Sequence, residues 1–418
     1  MKFTIRGLRW YMVSLIALAT ALNYFDRQTL ALLAATLQKV LGITTIQYSY
    51  ATAAFLTSYT IMYAVSGRLI DRLGTRRGFA IFVASWSVVD ALHAFARTAL
   101  QFCTFRFLLG AVEPANFPAG VKAVSEWFPM RQRALAVGIF NSGTAMGAAI
   151  AAPLVAWITL RFGWRYTFLA GAVLSAAWTV IWLLVYRAPR RHPWLGNAEL
   201  ALIEEGSGPA AASSVSIRRL LCRREAWGCI LARMLTDPIS YFFAFWIPKF
   251  LQQERGFDLR AIGRYYWIPY VALALGNLAG GALPAWLVRG GWSVDRARKT
   301  VMFAASCVIP ACFILITRSF NPALAVALIS VAMFCHAAWG NMTLPAEVFP
   351  MKAVGSISGF GGAAGSLVGA VAMLFIGWTA AVSSFNVIFI ICAALPLTAW
   401  AIVCALIRQL GRVREIAD

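Results

Sequence analysis

Charge is scarce in this chain. Of 418 residues 13% are charged, and only 16 are acidic against 37 Lys and Arg. Soluble domains carry roughly 25% charged residues, so the composition argues against a water-soluble globular protein. Histidine is scarcer still, with three residues, and the eight cysteines show no paired metal-ligand spacing. Cys103, Cys229, Cys307, Cys312, Cys335, Cys392 and Cys404 lie in apolar runs, where cysteine acts as a small hydrophobe. This pattern speaks against a disulfide framework, a metal site and a cofactor. Long polar stretches are missing too, apart from one between 188 and 225. The net charge of +21 sits in short loops between apolar runs. It does not form one basic stripe, so no nucleic-acid partner is expected.

What fills the chain is hydrocarbon. Hydrophobic residues make up 61%, and the mean hydropathy is +0.72. Crossing a bilayer takes about 20 mainly apolar residues. Twelve stretches qualify, and the first six, spans 1 to 6, are predicted at 9–37, 48–69, 78–97, 100–123, 134–158 and 165–187. Spans 7 to 12 are predicted at 226–251, 262–288, 299–317, 321–346, 354–378 and 382–408. The expected fold is an all-α membrane protein of twelve transmembrane helices in two pseudo-symmetric six-helix bundles. One half covers 1–187, a cytoplasmic linker rich in Pro, Gly, Ser, Ala and Arg covers 188–225, and the other half covers 226–418.

The first apolar run follows Lys2, Arg6 and Arg9 and is too long for a cleaved leader, so it reads as span 1. Basic clusters set the orientation. Arg68, Arg72, Arg76 and Arg77, then Arg131 and Arg133, then Arg218, Arg219, Arg223 and Arg224, then Arg296, Arg298 and Lys299 all fall on one side. Taking that side as cytoplasmic puts both termini there, as an even number of spans requires. A bacterial inner membrane is the expected location.

Four charges inside spans stand out: Asp26, Arg27, Arg106 and Glu113. A charge near the bilayer centre costs roughly 2.5–3.5 kcal/mol on insertion scales, so such residues mark a functional pathway by default. Arg106 and Glu113 are seven apart, on one helix face and about 10 Å from each other. Arg27 offers a planar fork that matches a carboxylate; its alternative is an internal ion pair with Asp26 or Glu113. Burial disfavours the charged form of Asp26 and a neighbouring guanidinium favours it, so it is a candidate to exchange a proton. Both signs inside one bundle point to a polar cavity through which something charged moves. Paired carboxylates outside the bundle, a nucleophile motif and a metal cluster are all missing, so no enzyme is expected.

Two segments echo each other: GRLIDRLGTRR at 67–77, and GALPAWLVRGGWSVDRARK at 281–299. Each reads as a Gly at a helix end, a short turn and a basic cluster. Two six-helix halves with weak internal symmetry suggest a secondary transporter. The first segment resembles the loop signature of the major facilitator superfamily, which implies gating roles for Gly67, Asp71, Arg72 and Gly74. The second copy has Ala285 where the first has Asp71.

Further segments narrow the resemblance. They are NYFDRQTL at 23–30, RFLLGAVEPANFPAG at 106–120, FNSGTAMGAAIAAPL at 140–154, DPISYFFAFWIPKFL at 237–251, HAAWGN at 336–341 and GSISGFGGAAGS at 355–366. Together they are similar to the anion:cation symporters of that superfamily, and within them to hexuronate (glucuronate and galacturonate) transporters. Carriers of galactonate, glucarate or phthalate-like carboxylates share the same frame. The resemblance implies inward symport of a sugar-acid anion with protons by a monomer in the lipid bilayer. It implies substrate contacts from Arg27, Tyr59, Arg106, Asn141, Thr144, Tyr241, Trp339 and Asn341. It implies proton coupling by Asp26 and Glu113, with His336 as a further titrating candidate. Trp246 is another candidate lining residue. Lys249 either steers anions or snorkels, and Pro238 is expected to interrupt span 7.

Overall fold

In the computed structural model the described residues are 4–204, 217–340 and 343–410, and nearly all of the chain within them is helical. Spans 1 to 3 are Leu8–Leu32, Thr45–Leu73 and Thr75–Ala94, with a short helix Ala34–Leu41 after the first. Span 4 runs Ala99–Val112, tightens to a 3-10 turn at Glu113–Ala115 and continues as Asn116–Trp127. Spans 5 and 6 are Met130–Phe162 and Trp164–Val185. Span 7 is Arg224–Phe245 followed by Ile247–Glu254, and span 8 is Leu259–Tyr265 followed by Trp267–Arg289. Spans 9 to 12 are Val294–Arg318, Pro322–Trp339, Met351–Val382 and Phe385–Leu406. Eight of these are long and apolar enough to cross a membrane on those criteria alone, counting bent span 7 once. Spans 1 to 4 do not meet them.

Local sequence sets the ends. Thr44 and Gln47 form a reciprocal capping box that starts span 2. Thr98, Ser293, Asn321 and Ser384 each accept a backbone N–H at the start of spans 4, 9, 10 and 12. Gly67 was expected to end span 2, but the helix continues through it to Leu73. The turn is made at Gly74, whose φ of 76° only glycine adopts without strain. In the second copy the helix likewise runs through Gly281, to Arg289. Pro238 was expected to break span 7 and does not: the helix passes through it, and the 51° bend lies at Trp246. Pro248 then occupies the first turn of the new helix, where its missing N–H costs nothing.

Packing repeats with a two-fold logic. Spans 1 and 5, 2 and 4, and 3 and 6 pair in the first half; spans 7 and 11, 8 and 10, and 9 and 12 pair in the second. Spans 2 and 11, and 5 and 8, join the halves. Small residues permit this closeness, since apolar lipid supplies no hydrophobic drive. Gly143 and Gly147 of span 5 lie directly on the Ala17 and Ala21 carbonyls of span 1. Gly276 and Gly280 lie against the Phe334 and Ala338 carbonyls of span 10.

The two ends of the molecule differ. At one, Tyr48 Oη donates to the Phe245 carbonyl at 2.6 Å, Lys249 Nζ to Thr45 Oγ1 at 2.9 Å and Gln252 Nε2 to the Leu32 carbonyl at 3.2 Å, each bond crossing from one half to the other. Gly263 packs on Ala152 and Ala156 beside them. At the other end, where the 67–77 loop lies, open space adjoins Gly138, Gly281, Gly355 and Gly359. The bundle is closed at the first end and splayed at the second.

Part of the 188–225 segment is ordered against span 1. The Glu199 carboxylate accepts from the backbone N–H groups of Gly7, Leu8 and Arg9 at 3.0, 3.2 and 3.3 Å and pairs with Arg9 Nη1 at 2.7 Å. These are orphan donors at a helix N-terminus, where negative charge is favoured.

Candidate functional site

The buried charges of spans 1 and 4 meet. Arg27 Nη2 and Nε donate to Glu113 Oε2 at 2.8 and 3.2 Å, and Nη2 reaches Asn23 Oδ1 at 3.5 Å. This selects one of the two ion pairs that the sequence left open. Arg27 is 6% exposed and Glu113 1%. Pro114 helps to place the glutamate, because the helix tightens there and the Glu113 carbonyl accepts from the Asn116 N–H. Its Oε1 has no hydrogen-bond partner. The guanidinium is flanked by the rings of Tyr24, Tyr59 and Phe55 at 4.8, 5.0 and 5.2 Å. Cation–π contact and aromatic walls hold a planar fork in one orientation.

Asp26 turns the other way. Its neighbours are Ser175, which donates to Oδ2 at 3.4 Å, and Asp90 of span 3, across Gly171 of span 6. Arg106 is fully buried, and none of its three guanidinium nitrogens has a hydrogen-bond partner. Fully desolvated donors of this kind are costly.

The remaining expected residues fall into separate places. Tyr241 of span 7 stacks on Phe245 at 6.4 Å and lies against Gly369 of span 11, which also adjoins Leu56 of span 2. It therefore reaches the seam between the halves. Asn141 is exposed, on the face of span 5 that packs on span 8 further along at Ala152; Thr144 is half-buried one turn on. His336 shares a 2.6 Å hydrogen bond with Ser240 and packs edge-on to Phe243. Trp339 sits in an apolar cluster of the second half, its indole N–H donating to Ser306 at 2.8 Å, and is not brought to Arg27. Trp246 at the bend donates to Met373 Sδ at 3.2 Å. Lys249 was expected to steer anions or snorkel; it is buried, over the rings of Tyr48 and Trp246 at 5.2 and 5.1 Å. Asn341 lies outside the described residues.

In the 67–77 segment, Asp71 pairs with Lys122 of span 4 at 2.8 Å. Gly67 touches Pro118 of span 4, and Arg72 is exposed. Asp90 and Arg233 are among the buried charges that the sequence reading did not single out. Asp90 sits in an apolar run like Glu113, a signal that was present. Arg233 lies four residues before Asp237, pairs with it at 2.9 Å and donates to the Ser358 carbonyl at 3.1 Å. Its i,i+4 spacing was also legible.

The family model of the Major Facilitator Superfamily matches residues 16–340. A hexuronate transporter of Escherichia coli (strain K12) is 36% identical over 402 residues, covering 94% of this chain and 92% of that one. A galacturonate transporter of Dickeya chrysanthemi is 39% identical over 286 residues, covering 68% of this chain and 83% of its own. A bacterial homologue of the human lysosomal transporter Spinster, solved inward-facing, superposes with a TM-score of 0.72 at 16% identity, over 97% of this chain and 96% of that one. These likenesses and the paired six-helix packing lead to one family. The chain is a multi-pass membrane transporter that belongs to the major facilitator superfamily.

Proposed function

We propose that this transporter imports a sugar-acid anion, a hexuronate such as glucuronate or galacturonate, together with protons by alternating access. The observation that carries the reading is the buried Arg27–Glu113 pair set among aromatic rings. A carboxylate ligand competes with Glu113 for the same fork, and a proton on Glu113 ends that competition. Substrate and proton then favour each other's binding, which is the linkage a symporter needs. Tyr59 beside Arg27, Tyr241 across the seam, and Asn141 and Thr144 on span 5 supply surfaces and donors for a polyhydroxylated ring. Relatives that carry hexuronates and galacturonate favour this class. A galactarate/D-glucarate transporter relative, "probable" by its name and 29% identical, keeps other sugar-acid carboxylates as the second reading.

The energetics favour co-entry of protons. Against an interior-negative potential an anion enters uphill by about 2.3 kcal/mol per charge per 100 mV. Two protons per monoanion turn that penalty into a driving force. Residues 1–187 and 226–418 act as the rocking halves, joined by 188–225, in a monomer of the bacterial inner membrane with both termini cytoplasmic. In that orientation the splayed end faces the cytoplasm, so the described state is inward-facing. Gly67, Asp71, Arg72 and Gly74 then belong to the cytoplasmic gate, released here with Asp71 on Lys122.

The test is uptake by proteoliposomes of radiolabelled glucuronate and galacturonate, with galactonate as competitor, at pH 6.5 outside and 7.5 inside. Accumulation that collapses with a protonophore is expected. Uptake of none of the three moves the substrate to another carboxylate, and accumulation that survives the protonophore refutes proton coupling.

A further inference from the structure

Beyond the Arg27–Glu113 pair, the first half buries a second ionisable group of side chains. Asp26 on span 1 and Asp90 on span 3 are 0% and 1% exposed. Both carboxyls lie over Gly171 of span 6, where an added Cβ would strike Asp26 Oδ1 and Asp90 Oδ2 together. The Oδ1 atom of each has no hydrogen-bond partner. Ser175 of span 6 is the single side-chain donor to Asp26 among the described hydrogen bonds. From span 4, Arg106 sits close enough for its charge to act on both carboxyls and on Glu113, yet hydrogen-bonds none of them. His93, one turn along span 3, stacks on Phe168 at 5.2 Å with Nδ1 on the Val89 carbonyl.

Two ionised carboxylates cannot sit side by side in a dry interior without a cation bonded to them. A metal ion is a poor occupant, because Arg106 repels it and, among the described residues, no group of three ligating side chains exists. A proton fits. Charge counting agrees: Asp26, Asp90 and Glu113 are three acids against the two guanidiniums Arg27 and Arg106. Three negative and two positive charges leave one excess negative charge, which one proton cancels.

We infer that Asp26 and Asp90 form a carboxyl pair that binds one transported proton, and that Arg106 reports its occupancy to Glu113. With the proton shared between the two carboxyls, the pair is spent as a target for Arg106, which turns to Glu113 and loosens its hold on Arg27. When the proton leaves, Arg106 is drawn to the bare pair and Glu113 recaptures Arg27. Asp90 is thus a coupling residue on span 3, outside the two spans that carry the Arg27–Glu113 pair. This inference rests on the proton-symport reading above, and one experiment separates the two.

The experiment measures the proton-to-substrate ratio of the full-length protein in proteoliposomes from reversal potentials, with glucuronate as probe. A ratio of zero in the native protein defeats the symport reading itself. Given a coupled native protein, Asp90→Asn is expected to lose one proton from the ratio while still exchanging glucuronate, and Asp90→Glu to keep the native ratio. Asp26→Asn should lose the same proton, so the double variant Asp26→Asn/Asp90→Asn falls no further than either single one. An unchanged ratio in Asp90→Asn, or a two-proton loss in the double variant, overturns the pair. Uptake driven by a sodium gradient in place of the proton gradient overturns it as well. Where Asp90→Asn does not fold, the native protein carries the test through carbodiimide, which reacts with protonated buried carboxyls. Labelling at Asp26 or Asp90 is expected, and labelling confined to Glu113 refutes the assignment.

Discussion

Replacing Glu113 by Gln removes the internal competitor for Arg27 while keeping the shape of the side chain. In the native protein a ligand carboxylate must displace Oε2, which holds two Arg27 donors at 2.8 and 3.2 Å. If one proton on Glu113 accompanies each ligand bound, affinity falls tenfold per pH unit on the alkaline side, about 1.4 kcal/mol per unit. Glu113→Gln should remove one such decade per unit and bind tightly at alkaline pH. It should also fail to accumulate substrate in a proton gradient, yet still exchange it across the membrane. The reciprocal change, Arg27→Ala, leaves Glu113 buried without its partner and the ligand without its fork. Truncating one side of a buried charge pair costs about 3–5 kcal/mol, so binding should weaken by at least ~10²-fold. Arg27→Lys keeps charge but loses the fork and should fall between them. Binding isotherms from pH 6 to 8.5 and parallel uptake assays decide the matter. A variant Glu113→Gln that accumulates normally, or keeps the native pH slope, refutes the competition mechanism.

Other expectations concern the frame around the site. Tyr48→Phe deletes the 2.6 Å bond to the Phe245 carbonyl that spans the closed end. At about 1 kcal/mol per neutral hydrogen bond, it should raise the population open at that end roughly fivefold, read as faster thiol labelling of a cysteine placed there. Glu199→Gln weakens the cap of span 1 and should lower stability by about 1 kcal/mol in a thermal melt, with no change in ligand affinity. His192, outside the spans, is held below the usual histidine range by burial, with Nε2 on the Val185 carbonyl and Nδ1 accepting from the Trp194 N–H. Because its folded value is depressed, its contribution is complete above the ordinary value near 6.5 and is lost as pH falls below it. Proteolysis of the 188–204 segment should therefore rise from pH 7 to pH 5, and His192→Gln should flatten that rise.

Much of the fold was legible because a bilayer imposes one dominant rule: backbone must be satisfied within each span, so long, mainly apolar stretches read as helices. Spans read from hydropathy coincide with observed helices, and the charges at Asp26, Arg27, Arg106 and Glu113 stood out against hydrocarbon. Their partnerships did not. Adjacent Asp26 and Arg27 point apart, because successive residues on a helix differ by about 100° in direction. Arg27 found Glu113 on span 4, and Asp26 found Asp90 on span 3, pairings set by which helices touch. Asp90 carried the same signal as Glu113, a carboxylate inside an apolar run, but nothing in that run says which helix it faces. Trp339 shows the converse: its neighbourhood in the sequence resembled a site, while packing directed its indole to Ser306. The bend at Trp246, and not at Pro238, was likewise a tertiary decision, since a proline inside a membrane helix is tolerated where neighbours compensate. Composition and periodicity determine that this chain crosses a membrane many times and buries charge. Which charges meet, which end is closed and which carboxyl lies beside another depend on contacts between residues distant in the chain, which only the packed bundle brings together.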